Sequence, residues 1–190
     1  MSAHVTVMGY YGDDPWLTVE NYNEMVRIAE RVVVEEFKLK LEDVTWVATG
    51  GTWCSHLPAS LWRKWAGGNR EKGKLILPFE WDEFVNARPG PSQSIAGRVN
   101  GSHALMQKRL QSVNSKLDLR DMVEAGCQVF TASNKNQQYN MINDIVNYVV
   151  WMPKTDSDNN FHQGCTVFEQ SRGAKSCVPL NRFIADLKKH

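Results

Sequence analysis

The sequence lacks any apolar run long enough to cross a membrane. A spanning helix needs about 20 consecutive apolar residues. The longest apolar runs in this sequence, such as Tyr148–Met152, are much shorter than that. The first residues, Met1 to Val5, contain neither the basic nor the apolar segment of a secretory signal, so we expect no such signal. These absences predict a protein without a membrane partner.

The chain also lacks an excess of charge of either sign. Its 22 lysines and arginines nearly balance its 21 aspartates and glutamates, which gives a formal net charge of +1. Proteins that bind nucleic acid or an anionic membrane surface usually carry a clear basic patch or tract. We therefore expect no nucleic acid among the partners.

Cysteine is sparse, and its four copies lie far apart in the sequence. No C-x-x-C pair is present, which disfavours a structural zinc site. Cys54 and His56, together with His162 and Cys165, offer two thiols and two imidazoles, but the C-x-H spacing is unusual for zinc. A reduced cysteine inside a helix or strand acts as a small apolar residue. We predict a cytoplasmic protein without a metal or a cofactor.

Two phosphate-binding motifs are missing as well. The first predicted strand is not followed by G-x-G-x-x-G, and G-x-x-x-x-G-K-[ST] does not occur in the sequence. These motifs surround the phosphates of dinucleotides and nucleoside triphosphates with backbone N–H groups. A dinucleotide-dependent dehydrogenase and a P-loop NTPase are therefore disfavoured.

What the sequence has is an alternation of β-rich and helical segments. This order is typical of a parallel sheet with crossover helices. We predict an α/β, Rossmann-like fold with a mostly parallel sheet flanked by helices, in a single domain over residues 1–190. The predicted strands are residues 5–8, 44–48, 74–79, 128–132, 148–152 and 178–180. The predicted helices are residues 19–38, 54–65, 102–113, 117–124, 137–147, 170–175 and 181–190.

The segment at about residues 80–124 interrupts this alternation. Between Arg88 and Ser94 the sequence is rich in proline and glycine, which disfavours regular structure. We predict an irregular insertion there, in which Ser102 caps a later helix. Long loops in compact domains often serve function, and Arg98 in this insertion could hold a phosphate. The alternative is a solvated arginine.

Three short loops that contain glycine follow predicted strands. Because the carboxyl ends of parallel strands meet at one edge of a sheet, we expect these loops to converge there. Their backbone N–H groups can bind an anion or a ribose. The candidate ligand-binding residues in these loops are Gly9, Tyr10, Gly50, Gly51, Thr52, Gly164 and Thr166.

Glu169 is the candidate catalytic residue. It follows Thr166 by three residues, where we expect a helix to begin at the ligand edge of the sheet. A carboxylate there can attack the anomeric carbon of a sugar, or it can accept hydrogen bonds from ribose hydroxyls. The alternative is an exposed glutamate in the first turn, which stabilises the helix through its dipole.

These segments together resemble the SLOG superfamily, a Rossmann-like group that includes the LOG phosphoribohydrolases and many nucleotide-sensing domains. The shared features are the glycine turn after the first strand, Gly50-Gly51 after the second, and a Gly/Thr loop before a late helix. The stretch Tyr139 to Ile142 is similar to the Arg-Asn-x-x-Met segment of the superfamily, with Tyr139 in place of the arginine. The resemblance implies that Asn140 contacts the ligand.

The pattern from Thr166 to Glu169, followed by Val178-Pro179, is also similar to the nucleoside 2-deoxyribosyltransferases. In that family the matching glutamate is the nucleophile, so the resemblance implies this role for Glu169. The chain departs from the LOG signature Pro-Gly-Gly-x-Gly-Thr-x-x-Glu, because residues 161–169 keep only its threonine and glutamate in register. The resemblance also implies a homo-oligomer, since members of the superfamily often dimerise or tetramerise.

The sequence therefore predicts a protein that binds a nucleotide or a nucleoside derivative. The catalytic hypothesis is N-glycosidic-bond chemistry of the phosphoribohydrolase or deoxyribosyltransferase type. The alternative is a non-catalytic protein that senses or sequesters a signalling nucleotide of the cyclic-nucleotide or ADP-ribose type. A third hypothesis is a protein-interaction scaffold on a degenerate fold. Whether the protein is an enzyme is left open.

Overall fold

The computed structural model of the 190-residue chain describes residues 2–10, 15–88, 94–110, 115–155 and 174–185. The strands of this part are β1 His4–Gly9, β2 Thr45–Ala48, β3 Gly73–Leu77, β4 Gln128–Thr131, β5 Tyr148–Met152 and β6 Ala174–Cys177. They form one sheet in the order β4-β3-β2-β1-β5-β6, and each neighbouring pair is parallel. The predicted α/β, Rossmann-like fold is confirmed.

Helices connect the strands. The α-helices of the described part are α1 Val19–Arg31, α2 Leu57–Leu61, α3 Trp81–Asn86, α4 Ile95–Arg109, α5 Ser115–Glu124 and α6 Lys135–Ile145. Turns of π-helix, Val32–Glu36 and Trp62–Ala66, extend α1 and α2, and short 3₁₀ turns occupy Leu41–Asp43, Trp53–His56, Arg70–Lys72 and Leu180–Arg182. In this part of the chain no helix is both long and apolar enough to cross a bilayer.

The start of α1 shows how the sequence determines a helix boundary. Thr18 is the N-cap, because its hydroxyl accepts a hydrogen bond from the N–H of Asn21 at 3.2 Å. Replacing such a cap with alanine costs about 1 kcal/mol. Tyr22, Met25 and Ala29 then recur at helical spacing and are buried. The cap begins the helix, and burial of this face holds it to the sheet.

Alternate residues of each strand point to opposite faces of the sheet and enter two separate cores. On β1, Val5 and Val7 belong to the larger core, whereas Met8 belongs to the smaller one. The larger core includes buried side chains of α1, α2, α4 and α5, and the smaller core includes Ile142 of α6. Helices on both faces thus bury the sheet. The connecting loops lie at its carboxyl edge, where the parallel strands end, and at its amino edge, where they begin.

The segment predicted to be an irregular insertion contains α3, α4 and α5. Two helices were predicted within it, and the structure adds α3 and begins α4 at Ile95 rather than near residue 102. Ser94 rather than Ser102 is the N-cap of α4, and its hydroxyl accepts a hydrogen bond from the N–H of Gly97 at 3.1 Å. Glycine in a helix costs about 1 kcal/mol relative to alanine, and α4 contains Gly97 and Gly101. Burial of one face of α4 outweighs this local cost.

The last strand also differs from the prediction. The sixth strand is Ala174–Cys177 rather than residues 178–180, and it includes the last two residues of the helix predicted at 170–175. A strand at the edge of a sheet needs no continuous apolar run, and Ala174 is exposed. Pro179 has no N–H to donate to a neighbouring strand, which makes residues 178–180 a poor strand.

Candidate functional site

The order of the strands creates a crevice beside β1. This strand lies between β2 and β5, because the chain moves outward from β1 through β2, β3 and β4 before it returns to β5. In open parallel sheets, ligands bind outside the carboxyl ends of the strands at such a reversal. A cavity of about 690 Å³ lies at this edge. Its volume falls within the range of small-ligand pockets, about 300–1,000 Å³.

The carboxyl end of β1 forms one wall of the cavity. Gly9 has a φ of 145°, and a Cβ at this position would lie 2.1 Å from the carbonyl oxygen of Met152. The N–H of Tyr10 donates to the same oxygen at 2.9 Å. The close approach of β1 and β5 therefore requires glycine here, independently of any ligand.

Met8 and Trp151 are partners in the register between β1 and β5, and both line the cavity. Trp151 is 5% exposed, and its indole nitrogen is buried without a hydrogen-bond partner among the described residues. Because this nitrogen is inaccessible, Trp151 offers the cavity an apolar aromatic surface rather than a donor.

The loop after β2 lines the cavity with residues 49–52. Gly50 has a φ of 76°, and a Cβ there would lie 2.7 Å from Cδ2 of Leu77. A Cβ on Gly51 would lie 2.7 Å from the Cβ of Ser55. Neither position has room for a side chain without a shift of its neighbour, so the loop presents mainly backbone to the cavity.

Trp53 follows this loop in a strained conformation. Its φ is 53°, which is rare for a bulky residue. Its side chain is 2% exposed, and its N–H lies 3.4 Å from the sulfur of Met106. Such strain costs on the order of 1–3 kcal/mol and persists only where packing imposes it. Burial of Trp53 therefore holds the loop after β2 in one shape.

One face of α4 forms a second wall. The residues of α4 that line the cavity are Ile95, Arg98, Val99 and Ser102. Their spacing of three and four places them on one side of a helix. On the buried side, the amide nitrogen of Asn100 donates to the carbonyl oxygen of Phe84 at 2.8 Å and anchors α4 to α3.

The start of α6 forms a third wall. Asn134 is its N-cap, and the side-chain oxygen accepts a hydrogen bond from the N–H of Gln137 at 2.9 Å. The helix therefore begins at Lys135, two residues before the start that we predicted at residue 137. The residues of α6 that line the cavity are Lys135, Asn136, Gln138 and Tyr139.

The charge of the cavity is positive. Among the lining residues that the structure describes, the charged ones are Arg98 and Lys135, and both are exposed. They belong to the first turns of α4 and α6, where the helix dipole adds partial positive charge. The cavity therefore favours an anionic ligand.

A buried polar network lies behind the loop after β2. His56 donates from Nε2 to the carboxylate of Asp118 at 2.9 Å, and Arg63 pairs with the other carboxylate oxygen. Burial alone would raise the pKa of Asp118, but these hydrogen bonds and the guanidinium charge lower the pKa below its ordinary value. The ring of His56 packs against that of His103, with centroids 5.7 Å apart. Neither His56 nor Asp118 is among the described lining residues, and the network reaches the loop after β2 through His103, whose Nε2 lies 2.8 Å from the carbonyl oxygen of Gly50.

The structure brings several predicted ligand-binding residues to one cavity, namely Gly9, Gly50, Gly51, Thr52 and Arg98. Tyr10 and Asn140 are not among the described residues that line it. Tyr10 stacks on Trp16 with ring centroids 5.7 Å apart, and Asn140 is exposed on α6.

The remaining candidates, Gly164, Thr166 and the catalytic candidate Glu169, lie outside the described residues, as do His162 and Cys165. Their roles stay predictions. Within the described part no group of three or more His, Cys, Asp or Glu side chains could hold a metal ion. Cys54 is fully buried, and burial raises the pKa of its thiol, so it stays protonated at neutral pH.

Sequence reasoning predicted helices at residues 102–113 and 137–147 but missed the first turns of α4 and α6, which line the cavity. For α6 the missed signal was Asn134, which follows a strand closely and is a preferred N-cap residue. For α4 the signals were Ser94 as a cap and the spacing from Ile95 to Ser102. Before α4, the prolines and glycine of residues 89–91 concealed these signals.

In comparisons with known proteins, no protein-family model, no curated protein and no solved structure matches the chain. The resemblance to the SLOG superfamily therefore stays a prediction. The function has to be inferred from the geometry and the charge of the cavity itself.

Proposed function

We propose that the protein binds a nucleotide-type ligand whose phosphate lies in the cavity at the carboxyl edge of the sheet. One observation supports this most strongly: the loop of Gly50 and Gly51 and the first turns of α4 and α6 line the same cavity of about 690 Å³. Arg98 and Lys135 add positive charge from two helices. Backbone loops, helix N-termini and cationic side chains are the groups with which proteins bind phosphate.

The rest of the cavity suits the organic part of such a ligand. Tyr139 and Trp151 supply aromatic surface against which a base can pack. Thr52, Ser55 and Ser102 supply hydroxyl groups that can bond to ribose. Together with the positive charge, these groups favour a nucleotide over a small inorganic anion.

The ligand is either only bound or also cleaved. The described lining residues include no carboxylate, histidine or cysteine that could act as a nucleophile or a general acid. This favours a protein that senses or sequesters its ligand. Cleavage would need Glu169, whose carboxylate would form a glycosyl ester with the anomeric carbon while the base leaves and takes up a proton. Water would then hydrolyse the ester or a second base would accept the sugar.

A thermal-unfolding screen tests the proposal. The panel contains nucleosides, their mono-, di- and triphosphates, ADP-ribose and cyclic dinucleotides, and each mixture is then separated by chromatography. A ligand at about a hundred times its Kd stabilises the fold by about 3 kcal/mol. We expect phosphorylated compounds to raise the melting temperature more than the matched nucleosides. No shift with any of them would contradict the proposal.

Glu169→Gln separates binding from cleavage. Glu83→Gln is the matched control, because Glu83 is exposed on α3 and is not among the described lining residues. Recovery of intact ligand from the wild type would identify a binding protein. Release of free base that Glu169→Gln abolishes and Glu83→Gln retains would identify an N-glycosidic-bond enzyme.

Membership of the SLOG superfamily, a cytoplasmic location and a homo-oligomeric state belong to the same proposal. The oligomeric state is the simplest of these to measure, by size-exclusion chromatography with light scattering. A monomer at all concentrations would remove the homo-oligomer from the proposal and leave ligand binding unaffected.

A further inference from the structure

We propose that Gln138 and His103 are positioning residues, which orient the peptide groups of the loop after β2 so that the N–H groups of Gly50 and Gly51 bind the anionic group of the ligand. This inference rests on the proposed function, because it assigns a subsite within the same cavity. Both side chains act through the backbone of Thr49 and Gly50.

Gln138 connects α6 to the ends of two neighbouring strands. Its side chain is 7% exposed, and Nε2 donates to the carbonyl oxygen of Thr49 at 2.9 Å and to that of Ile76 at 2.8 Å. Buried polar groups are almost always paired, so an amide in this position satisfies acceptors that would otherwise lose a partner. Gln138 therefore fixes the carbonyl group of Thr49 relative to α6.

His103 connects α4 to the next peptide group of the same loop. The side chain is fully buried, and Nε2 lies 2.8 Å from the carbonyl oxygen of Gly50. Because a carbonyl oxygen only accepts, we assign the proton to Nε2. The rings of His56 and Phe84 pack against the imidazole, with centroids 5.7 Å and 5.4 Å away. These contacts hold the imidazole in position to donate to Gly50.

The two hydrogen bonds determine which way the peptide groups face. The described part of the chain contains no cis peptide bond, and in a trans peptide the C=O and N–H groups point in opposite directions. With the carbonyl groups of Thr49 and Gly50 turned to Gln138 and His103, the N–H groups of Gly50 and Gly51 face away from those side chains.

No hydrogen bond joins the N–H of Gly50 or Gly51 to another described residue. Both glycines line the cavity. The negative ends of these two peptide dipoles are therefore occupied by donors, whereas the positive ends remain for a ligand. Successive backbone N–H groups of this kind form an anion-binding concavity.

Gln138→Met tests the inference, because methionine keeps the length of the side chain but has no donor. Protein labelled with ¹⁵N is titrated with ribose 5-phosphate, which 5′-nucleotides share, and with ribose, which lacks the anion. In the wild type the amide signals of Gly50 and Gly51 should move with ribose 5-phosphate and not with ribose. In Gln138→Met we expect a Kd for ribose 5-phosphate that is about fivefold higher or more, with those movements lost.

Gln137→Met is the matched control. It is the same substitution on the same helix, and it removes the acceptor of Ser133 without touching the loop after β2. A general loosening of α6 would weaken ribose 5-phosphate binding in the control as well, and that outcome would overturn the positioning role.

Two variants of His103 provide an independent test if Gln138→Met does not fold. His103→Gln retains a donor and should keep the Gly51 amide movement, whereas His103→Leu has no donor and should lose it. Wild-type affinity in His103→Leu with the same amide movements would overturn the inference. No response of the wild type to ribose 5-phosphate would instead contradict the proposed anion site itself.

Discussion

The two edges of the same sheet present different surfaces. The carboxyl edge carries the cavity of about 690 Å³, whose charged lining residues in the described part, Arg98 and Lys135, are both positive. The amino edge carries a groove of about 340 Å³, in which Glu71 lies beside Arg70 and Lys74. One edge thus combines a larger volume with charge of one sign, and the other has mixed charge.

The direction of the strands explains this difference. A single helix that connects two parallel strands begins near the carboxyl edge of the sheet and ends near the amino edge. The partial positive charges of the helix starts therefore collect at one edge and the partial negative charges of the helix ends at the other. An anion site at the carboxyl edge follows from topology, and the side chains of α4 and α6 then strengthen it.

The largest effect is expected from one methyl group at the carboxyl edge. In Gly9→Ala the new Cβ would lie 2.1 Å from the carbonyl oxygen of Met152, at a φ of 145° that alanine rarely adopts. The obstacle is the backbone of β5, which cannot move without loss of its pairing with β1. We expect a loss of about 4 kcal/mol in the free energy of unfolding, measured with urea.

Gly73→Ala is the matched change at the amino edge. Its Cβ would meet Sγ of Cys127 and Nε1 of Trp62, each at 2.7 Å. These atoms belong to buried side chains rather than to the backbone, and a side chain can adjust more than a paired strand, so we expect a smaller loss of about 1–3 kcal/mol. An equal or larger loss in Gly73→Ala would contradict the expectation that contact with the backbone costs more than contact with side chains.

The next largest effect on the free energy of unfolding is expected from an ion pair near the carboxyl edge, compared with one at the amino edge. Asp118→Asn keeps the shape of the side chain but removes the charge that Arg63 and His56 contact. Breaking a buried pair costs about 3–5 kcal/mol, and because Arg63 is half exposed and regains water, we expect about 2–3 kcal/mol. At the amino edge, Glu71→Gln breaks the exposed pair with Arg70 and should cost less than about 0.5 kcal/mol. Similar losses of unfolding free energy in Asp118→Asn and Glu71→Gln would contradict the expected difference between the buried pair and the exposed pair.

The carboxylate of Asp118 should also give a pH signature. Burial opposes its charge, but the hydrogen bonds from His56 and Arg63 keep the folded-state pKa below that of the unfolded chain, about 4. The unfolded chain therefore binds the proton first, so this stabilisation is complete above about pH 4 and is lost as the pH falls through the lowered pKa. Unfolding measured between about pH 6 and pH 2.5 should show a smaller acid loss in Asp118→Asn than in the wild type.

A smaller effect, on binding rather than on stability, is expected from the charges of the cavity. Arg98→Gln and Lys135→Gln each remove one cation, and a hydrogen bond from a charged group contributes about 1.5–3 kcal/mol. Because both side chains are exposed, we expect the lower end, about a tenfold rise in the Kd for ribose 5-phosphate, measured by calorimetry. Lys74→Gln removes the same charge from the amino-edge groove and should change the Kd by less than about twofold. An equal rise in Lys74→Gln would assign the attraction to the protein as a whole.

The inner strands could be predicted from the sequence because they are buried on both faces. β2 and β5 are short apolar runs between turn residues, which is how such strands look in any parallel sheet. β6 is an outermost strand of the sheet, where Lys175 and Ser176 are tolerated, so its position could not be predicted from hydrophobicity.

The cavity also has parts that could be predicted from the sequence and parts that could not. Its glycine loops could be predicted, because a glycine directly after a strand is a local signal. The helices of its walls were predicted, but the first turns of α4 and α6 that line it were not. The helix α4 contains Gly97 and Gly101 and depends on the burial of Asn100 and His103 against other elements. Gln138 shows no local signal at all, since its hydrogen bonds reach Thr49 and Ile76, far away in the sequence.

The smallest effect is expected at the amino edge, from His4 at the start of β1. Burial and the charge of Lys74 lower the pKa of His4, and the hydrogen bond with Asn147 partly opposes this. The unfolded chain, with a pKa of about 6.5, therefore binds the proton first, so the stabilisation is complete above about pH 6.5 and is lost as the pH falls through the lowered pKa.

His4→Gln should remove this dependence, and because His4 is only partly buried we expect a difference below about 0.5 kcal/mol between pH 7.5 and about pH 5, from urea midpoints. Asp118 stays ionised throughout this window, so it does not contribute. An unchanged pH dependence in His4→Gln would assign the titration to another group. Because His4 lines the amino-edge groove, the Kd for ribose 5-phosphate should stay at its wild-type value, and a weaker affinity would show that the two edges are coupled.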